Sequence, residues 1–341
     1  VTPLALADVW WIGAIEAVVV ISILLLAFAF MTLIERKLLG RFQRRFGPNR
    51  AGPFGVIQPF ADLIKLLRKA QFQPDRLIHP VIYLGAPVLS ASMAFLAFSV
   101  IPWGGGWTIY GYGINGQVVN VSISLVVVFA IGSISAYGPL LGGWASESKY
   151  ALIGAMRTGA QLVSYEVSLA LSVMGVVIMA KSLSLTEIVA AQHRTIWYVV
   201  PQIVGFATFT VAGVAEVARA PFDLPEAEQE LVAGYHTEYS GMRWGLYQIG
   251  EYVHMFTISA LMVTLFFGGW LFPYGDHLGS INRLGPVWFL VKLAIVLFCF
   301  VWARTTMPRL RYDQLMNLGW KVLLPVATVN AVATAFFVVL F

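Results

Sequence analysis

A chain of 341 residues that is 59% hydrophobic and only 11% charged has too little polar surface to fold as a soluble globule. Its mean hydropathy of +0.78 points to a polytopic membrane protein, and the formal net charge of +5 reflects membrane topology and requires no nucleic-acid partner. The single cysteine, Cys299, excludes an internal disulfide and an iron–sulfur cluster held by this chain alone, which takes about four thiolates.

A membrane span takes roughly 20 apolar residues. Eight stretches qualify, at about 10–34, 79–102, 118–142, 160–181, 197–218, 244–267, 286–303 and 320–341. The expected fold is all-α: a single transmembrane domain over 1–341 with about eight transmembrane helices, plus amphipathic helices on the inner side. Of the 22 Lys and Arg residues, 18 fall in one set of alternate loops and three in the other. That asymmetry makes the first loop cytoplasmic and puts both termini on the outer, periplasmic side. The first stretch lacks a basic n-region and a small-residue cleavage site, so it reads as a retained span.

After the first span, residues 35–76 form a basic inner loop. The run GPNRAGPFG (47–55) marks turns. Val56, Ile57, Phe60, Leu63, Ile64 and Leu67 then recur at helical spacing, with Asp62, Lys65 and Lys69 on the opposite face. This pattern suits a helix lying among lipid headgroups, or an amphipathic wall between a lipid-derived ligand and a docked soluble subunit. The outer segments 103–117 and 182–196 carry few charges and read as short lids.

Glu166 is a carboxyl within the fourth apolar run, and Glu216 ends the fifth. Residues 219–243 follow as an acidic inner loop. The segment EVARAPFDLPEAEQELVAGYHTEY (216–239) gathers Glu216, Asp223, Glu226, Glu228, Glu230 and Glu238. A carboxylate at the centre of a span costs about 2.5–3.5 kcal/mol, so such groups are read as functional. Asp223-Leu-Pro-Glu226 has the spacing of a capping box, which would start a helix there and place Asp223, Glu226 and Glu230 on one face. Crowded carboxylates repel and their titrations couple, which suits a proton relay; plain helix capping at a surface is the alternative. On the sixth run Glu251 and His254 form a single E-x-x-H. A di-iron bundle needs two such motifs with further Glu ligands, so a polar pair facing the bundle interior is expected in place of a metal.

Five segments stand in order on the inner side: ERKLLGRFQRRFGPNRAGPFG (35–55), QPFADLIK (58–65), GWASESKYALIGAMRTGAQLVSYE (143–166), EVARAPFDLPEAEQELVAGYHTEY (216–239) and RTTMPRLRYDQLM (304–316). Through them the chain resembles, over nearly its whole length, the family of the core membrane-arm subunit of respiratory complex I that carries the quinone site. That family is the quinone-site membrane subunit of NADH:quinone oxidoreductase, in bacteria and in mitochondria. The resemblance implies a subunit without a redox centre in a proton-translocating enzyme. Quinone, either ubiquinone or menaquinone, would be the substrate, with no flavin, iron–sulfur cluster or metal in this chain. The implied partners are the soluble complex I subunits carrying the terminal iron–sulfur cluster and the quinone headgroup site, the neighbouring antiporter-like membrane subunits, and the lipid bilayer.

The same resemblance assigns Arg36, Asp62, Lys65, Phe222, Tyr252, Arg304 and Arg309 to the quinone tunnel or its charged neck, although the arginines also suit simple positive-inside anchors. It assigns Glu166, Glu216, Asp223, Glu226, Glu228, Glu230 and Glu251 to an acidic channel coupling quinone reduction to proton pumping, with no covalent catalytic residue. One departure is Ser133, where some bacterial relatives carry a Glu. The alternative readings are a related membrane subunit of an energy-converting hydrogenase or other quinone-linked dehydrogenase, and a stand-alone proton-coupled transporter. The expected location is the bacterial cytoplasmic membrane, with the mitochondrial inner membrane as the alternative.

Overall fold

Lipid offers the backbone no hydrogen-bond partners, so long apolar runs close their N–H and C=O groups within helices. A computed structural model describes residues 10–74, 77–109, 112–114, 116–225, 228–271 and 284–340 of the protein, and these are mostly helical. In chain order the elements are α1 (Trp10–Phe42), α2 (Gln58–Arg68), α3 (Pro80–Ser99), a two-strand hairpin β1 (Trp107–Ile109) and β2 (Tyr112–Ile114), α4 (Ser124–Ala145) and α5 (Lys149–Ala180). There follow α6 (Leu185–Arg194), α7 (Ile203–Glu216), the single turn α8 (Glu228–Leu231), α9 (Gly241–Phe266), α10 (Gly285–Thr306), α11 (Tyr312–Asn317) and α12 (Leu324–Leu340). A π-helical turn, Leu318–Leu323, joins α11 to α12 without a break.

Seven of these rods are long and apolar enough to cross a membrane, counting α11 to α12 as one. The exception among the eight expected spans is the fifth. The run over 197–218 yields only the 14 residues of α7, about 21 Å at 1.5 Å per residue, against a hydrocarbon core of roughly 30 Å. Pro201 disfavours helix just before it, and the chain enters α7 only at Ile203. At the entrance Gln202 turns inward, donating to Thr334 Oγ1 at 2.8 Å and accepting from Asn330 Nδ2 at 2.8 Å.

Other boundaries move outward. Helix α1 continues through Glu35, Arg36, Lys37 and Arg41, and α5 begins at Lys149. Hydropathy marks where lipid begins, whereas backbone bonding carries a helix past that point. The predicted outer lids have regular structure: 182–196 contains α6, and the hairpin pairs Trp107 with Ile114 in antiparallel register. The helix expected to start at the Asp223 capping box does not form. Residues 221–225 are turn and irregular chain, α8 starts at Glu228, and so Asp223 and Glu230 share no helix face.

Helix α9 is the central rod, packed by α3, α7 and α10 and touched by α1 and α2. Apolar residues face out around it, among them Val18, Val88, Val163, Ile295 and Phe336, as a lipid-facing surface demands. Inside, small residues let backbones approach. A side chain added at Gly138 of α4 would come 2.6 Å from Ser90 Cβ of α3, and one at Gly250 of α9 would come 2.9 Å from Ser90 Oγ. The C-terminal end of α9 is closed by Lys292 of α10, whose Nζ donates to the carbonyls of Phe267, Gly269 and Leu271 at 2.8–2.9 Å. A cation there also complements the negative end of the helix dipole.

Candidate functional site

The site is organised by the irregular backbone after α7. Ala218 takes a left-handed φ of 54°, and the Ala220–Pro221 peptide is cis. Non-helical chain at membrane depth is tolerated where protein covers it, and here protein does. Gln161 of α5, fully buried, donates through Nε2 to the carbonyls of Ala215 at 2.7 Å and Phe222 at 2.9 Å. The backbone N–H of Leu310 donates to Pro221 O at 3.1 Å, and Arg309 donates to the Asp223 carbonyl. Pro221, Phe222, Leu224 and Pro225 are buried.

This fold-back delivers Arg219 into the bundle. Its Nη1 lies 3.8 Å from Glu35 Oε1, its Nη2 lies 3.5 Å from Glu251 Oε2, and its guanidinium sits 4.2 Å over the Tyr252 ring. Glu35, 5% exposed, also accepts hydrogen bonds from Arg304 and from the Tyr252 hydroxyl, the latter at 2.5 Å. Glu251 accepts a further bond from Tyr235 at 2.6 Å. A chain of alternating charge therefore runs from Arg304 through Glu35 and Arg219 to Glu251. Buried charges persist only when paired in this way.

Glu251 also belongs to a second feature. With Glu166, Glu216 and His254 it lines a cavity of about 70 Å³, walled by Ser90, Ser133, Ser135 and Thr158 and by the irregular Val217, Ala218 and Pro225. The polar lining and the volume suit a few water molecules. Ser133 donates to Glu166 across the gap between α4 and α5. His254 Nε2 is 3.5 Å from Glu216 Oε1, which joins α9 to α7.

Of the carboxylates assigned to a relay, the fold brings Glu166, Glu216 and Glu251 together at this cavity. Asp223 is partly buried in the fold-back, on the stretch of chain that Arg309 holds. Glu230 is 54% exposed and pairs with Arg157 at 2.7 Å; that hydrogen bond holds its carboxyl below the usual carboxylate range. Glu226 lies outside the described residues, as does the side chain of Glu228.

The residues assigned to the quinone separate into three groups, and none lines the acidic cavity. Tyr252 and Arg304 meet at Glu35. Phe222 packs 6.0 Å from the Tyr165 ring, with Arg309 nearby on the fold-back. Arg36 pairs with Asp62 at 2.7 Å between α1 and α2, where Lys65 is exposed. Arg36 also lines an open cavity of about 450 Å³ with Leu39, Arg45 and Phe46. Sequence reasoning missed Glu35 and the bridging position of Arg219. Glu35 opens the ERK motif at the edge of an apolar run, where it reads as topology; its partners lie 217 and 269 residues away.

Fold and site together define a class: an α-helical multi-pass membrane protein with a buried ion-pair chain ending at a carboxylate-lined cavity. A profile of the NADH dehydrogenase family matches residues 15–335. The chain belongs to that family. It is 48% identical over 340 residues to an H-type NADH-quinone oxidoreductase subunit of Geobacter metallireducens, covering 99% of each chain. It is 47% identical over 337 residues to the corresponding NADH-quinone oxidoreductase subunit of Deinococcus deserti, covering 97% of this chain and 84% of that one. It is also 45% identical over 336 residues to NADH-quinone oxidoreductase subunit 8 of Thermus thermophilus, covering 98% and 88%.

Proposed function

We propose that this chain is the membrane subunit of a bacterial proton-translocating NADH:quinone oxidoreductase, in which it forms a quinone tunnel joined to an acidic channel. The carrying observation is continuity: Arg304 and Tyr252, from the quinone-side set, contact Glu35; Glu35 shares Arg219 with Glu251; and Glu251 lines the cavity with Glu166 and Glu216. A quinone that accepts two electrons gains negative charge. Close to Arg304 or Arg219, that charge competes with Glu35 and Glu251 for the guanidiniums. A buried carboxylate that loses its cation is relieved by binding a proton, and the cavity then distributes protons among Glu251, Glu216 and Glu166.

The surface fits partners of the expected kinds. Helix α2 leaves Phe60, Ile64 and Leu67, and the Ile57 just before it, exposed beside the basic α1 end, which suits a docked soluble subunit that brings the terminal cluster and the quinone headgroup site. Antiporter-like membrane subunits would receive the lateral signal within the cytoplasmic membrane. The test is Glu216→Gln and Glu166→Gln in the assembled complex in vesicles, with proton pumping normalised to the amount of complex. Pumping should fall by about tenfold or more in each, and normal pumping in both would reject the mechanism.

A further inference from the structure

The E-x-x-H pair of α9 has one member without a role so far. Glu251 and His254, three residues apart, share one face of α9 a turn from each other, and both line the acidic cavity. His254 reaches across to α7, its Nε2 3.5 Å from Glu216 Oε1, while its Nδ1 is buried without a protein partner among the described residues. Glu216 is 7% exposed, and its second oxygen, Oε2, is likewise buried and unpartnered among the described residues. Each group thus has one atom on the other and one atom uncommitted. The groups facing the pair are Glu166 from α5, Glu251 from α9 itself and Tyr235 from the acidic segment, while α3 and α4 contribute only the hydroxyls of Ser90, Ser133 and Ser135. Among the described lining residues, the His254 imidazole is the one side-chain nitrogen base, and its two ring nitrogens can accept a proton on one side and release one on the other.

We propose that His254 is the proton-carrying residue of this cavity, linking Glu216 to the other carboxylates. The neutral ring, protonated on Nδ1, takes the Glu216 carboxyl proton at Nε2, leaving a carboxylate and an imidazolium. The ring then releases its Nδ1 proton to cavity water, from which Glu166 or Glu251 accepts it. The starting tautomer returns when cavity water accepts the Nε2 proton and supplies one to Nδ1, with no net gain or loss of protons, and no electron moves. This rests on the proposed function, since it takes proton transfer in the cavity as given.

The experiment compares His254→Gln with Glu216→Gln in vesicles holding the assembled complex, pumping being normalised to complex content. The glutamine amide can still hydrogen-bond Glu216 and takes up no proton. His254→Gln should lower quinone-coupled pumping about tenfold and change the shape of its pH profile. Wild-type pumping and pH profile in His254→Gln overturn the inference. Loss in Glu216→Gln alone then leaves the cavity mechanism standing, and normal pumping in both rejects both. Should His254→Gln fail to assemble, redox-difference infrared spectra of the native complex with ring-15N-labelled histidine decide. A histidine ring band shifting on quinone reduction supports the proposal, and absence of any such band overturns it.

Discussion

Replacing Arg219 with leucine strands a particular carboxylate, and the structure says which. At 3.8 Å from Glu35 and 3.5 Å from Glu251, each attraction is about 4–5 kcal/mol at an effective dielectric of about 20. Glu35 keeps Arg304 and the Tyr252 hydroxyl when Arg219 is lost. Glu251 keeps the Tyr235 hydroxyl but, among the described residues, has no other cation paired with it. An uncompensated buried charge costs about 3–5 kcal/mol, so Arg219→Leu should sharply lower the yield and heat-inactivation temperature of the assembled complex. Adding Glu251→Gln should recover most of that loss, with a coupling of about 2 kcal/mol or more in a double-mutant cycle. Adding Glu35→Gln should recover little, because it strands Arg304 in turn. Equal rescue by the two, or none by Glu251→Gln, would refute this account of the charge balance.

Two further outcomes are expected. Asp62→Asn breaks the 2.7 Å pair with Arg36, and the apparent KM for a short-chain quinone should rise severalfold in initial-rate assays of the assembled complex; an unchanged KM would detach this pair from the quinone path. Glu230→Gln should cost no more than about 1 kcal/mol, because the Arg157 pair is solvent-exposed. Its folded carboxyl titrates below the ordinary value, so the contribution is complete above about pH 4.3 and disappears as pH falls through the lowered value. The difference in heat inactivation between wild type and variant should accordingly vanish in strong acid and shrink in high salt.

Much of this site was legible because carboxylates stand out in apolar runs. Glu166 and Glu216 are nameable from sequence for that reason, whereas Glu251 stands out through its E-x-x-H spacing and joins the acidic set only through the family resemblance. Their convergence was not legible, since it depends on α5, α7 and α9 meeting in space. Glu35 and Arg219 escaped for the opposite reason: each sits at the edge of an apolar run, where charge is ordinary, and only pairing across the chain makes them distinctive. The Asp223 capping box misled because tertiary bonding prevailed over local propensity. Gln161, Leu310 and Arg309 hold 217–223 as irregular chain, and the next helix among the described residues starts at Glu228. The shortened α7 was hidden likewise, since Val199 and Val200 read as span although Pro201 and Gln202 set the true start.

The most direct test of the central claim is the carboxyl region of the redox-difference infrared spectrum of the assembled complex, recorded on quinone reduction. The coupling described here predicts a protonation change in a buried carboxyl, seen as a C=O band that disappears in Glu216→Gln and in Glu166→Gln. A spectrum without any such band, or one identical in wild type and both variants, would contradict it.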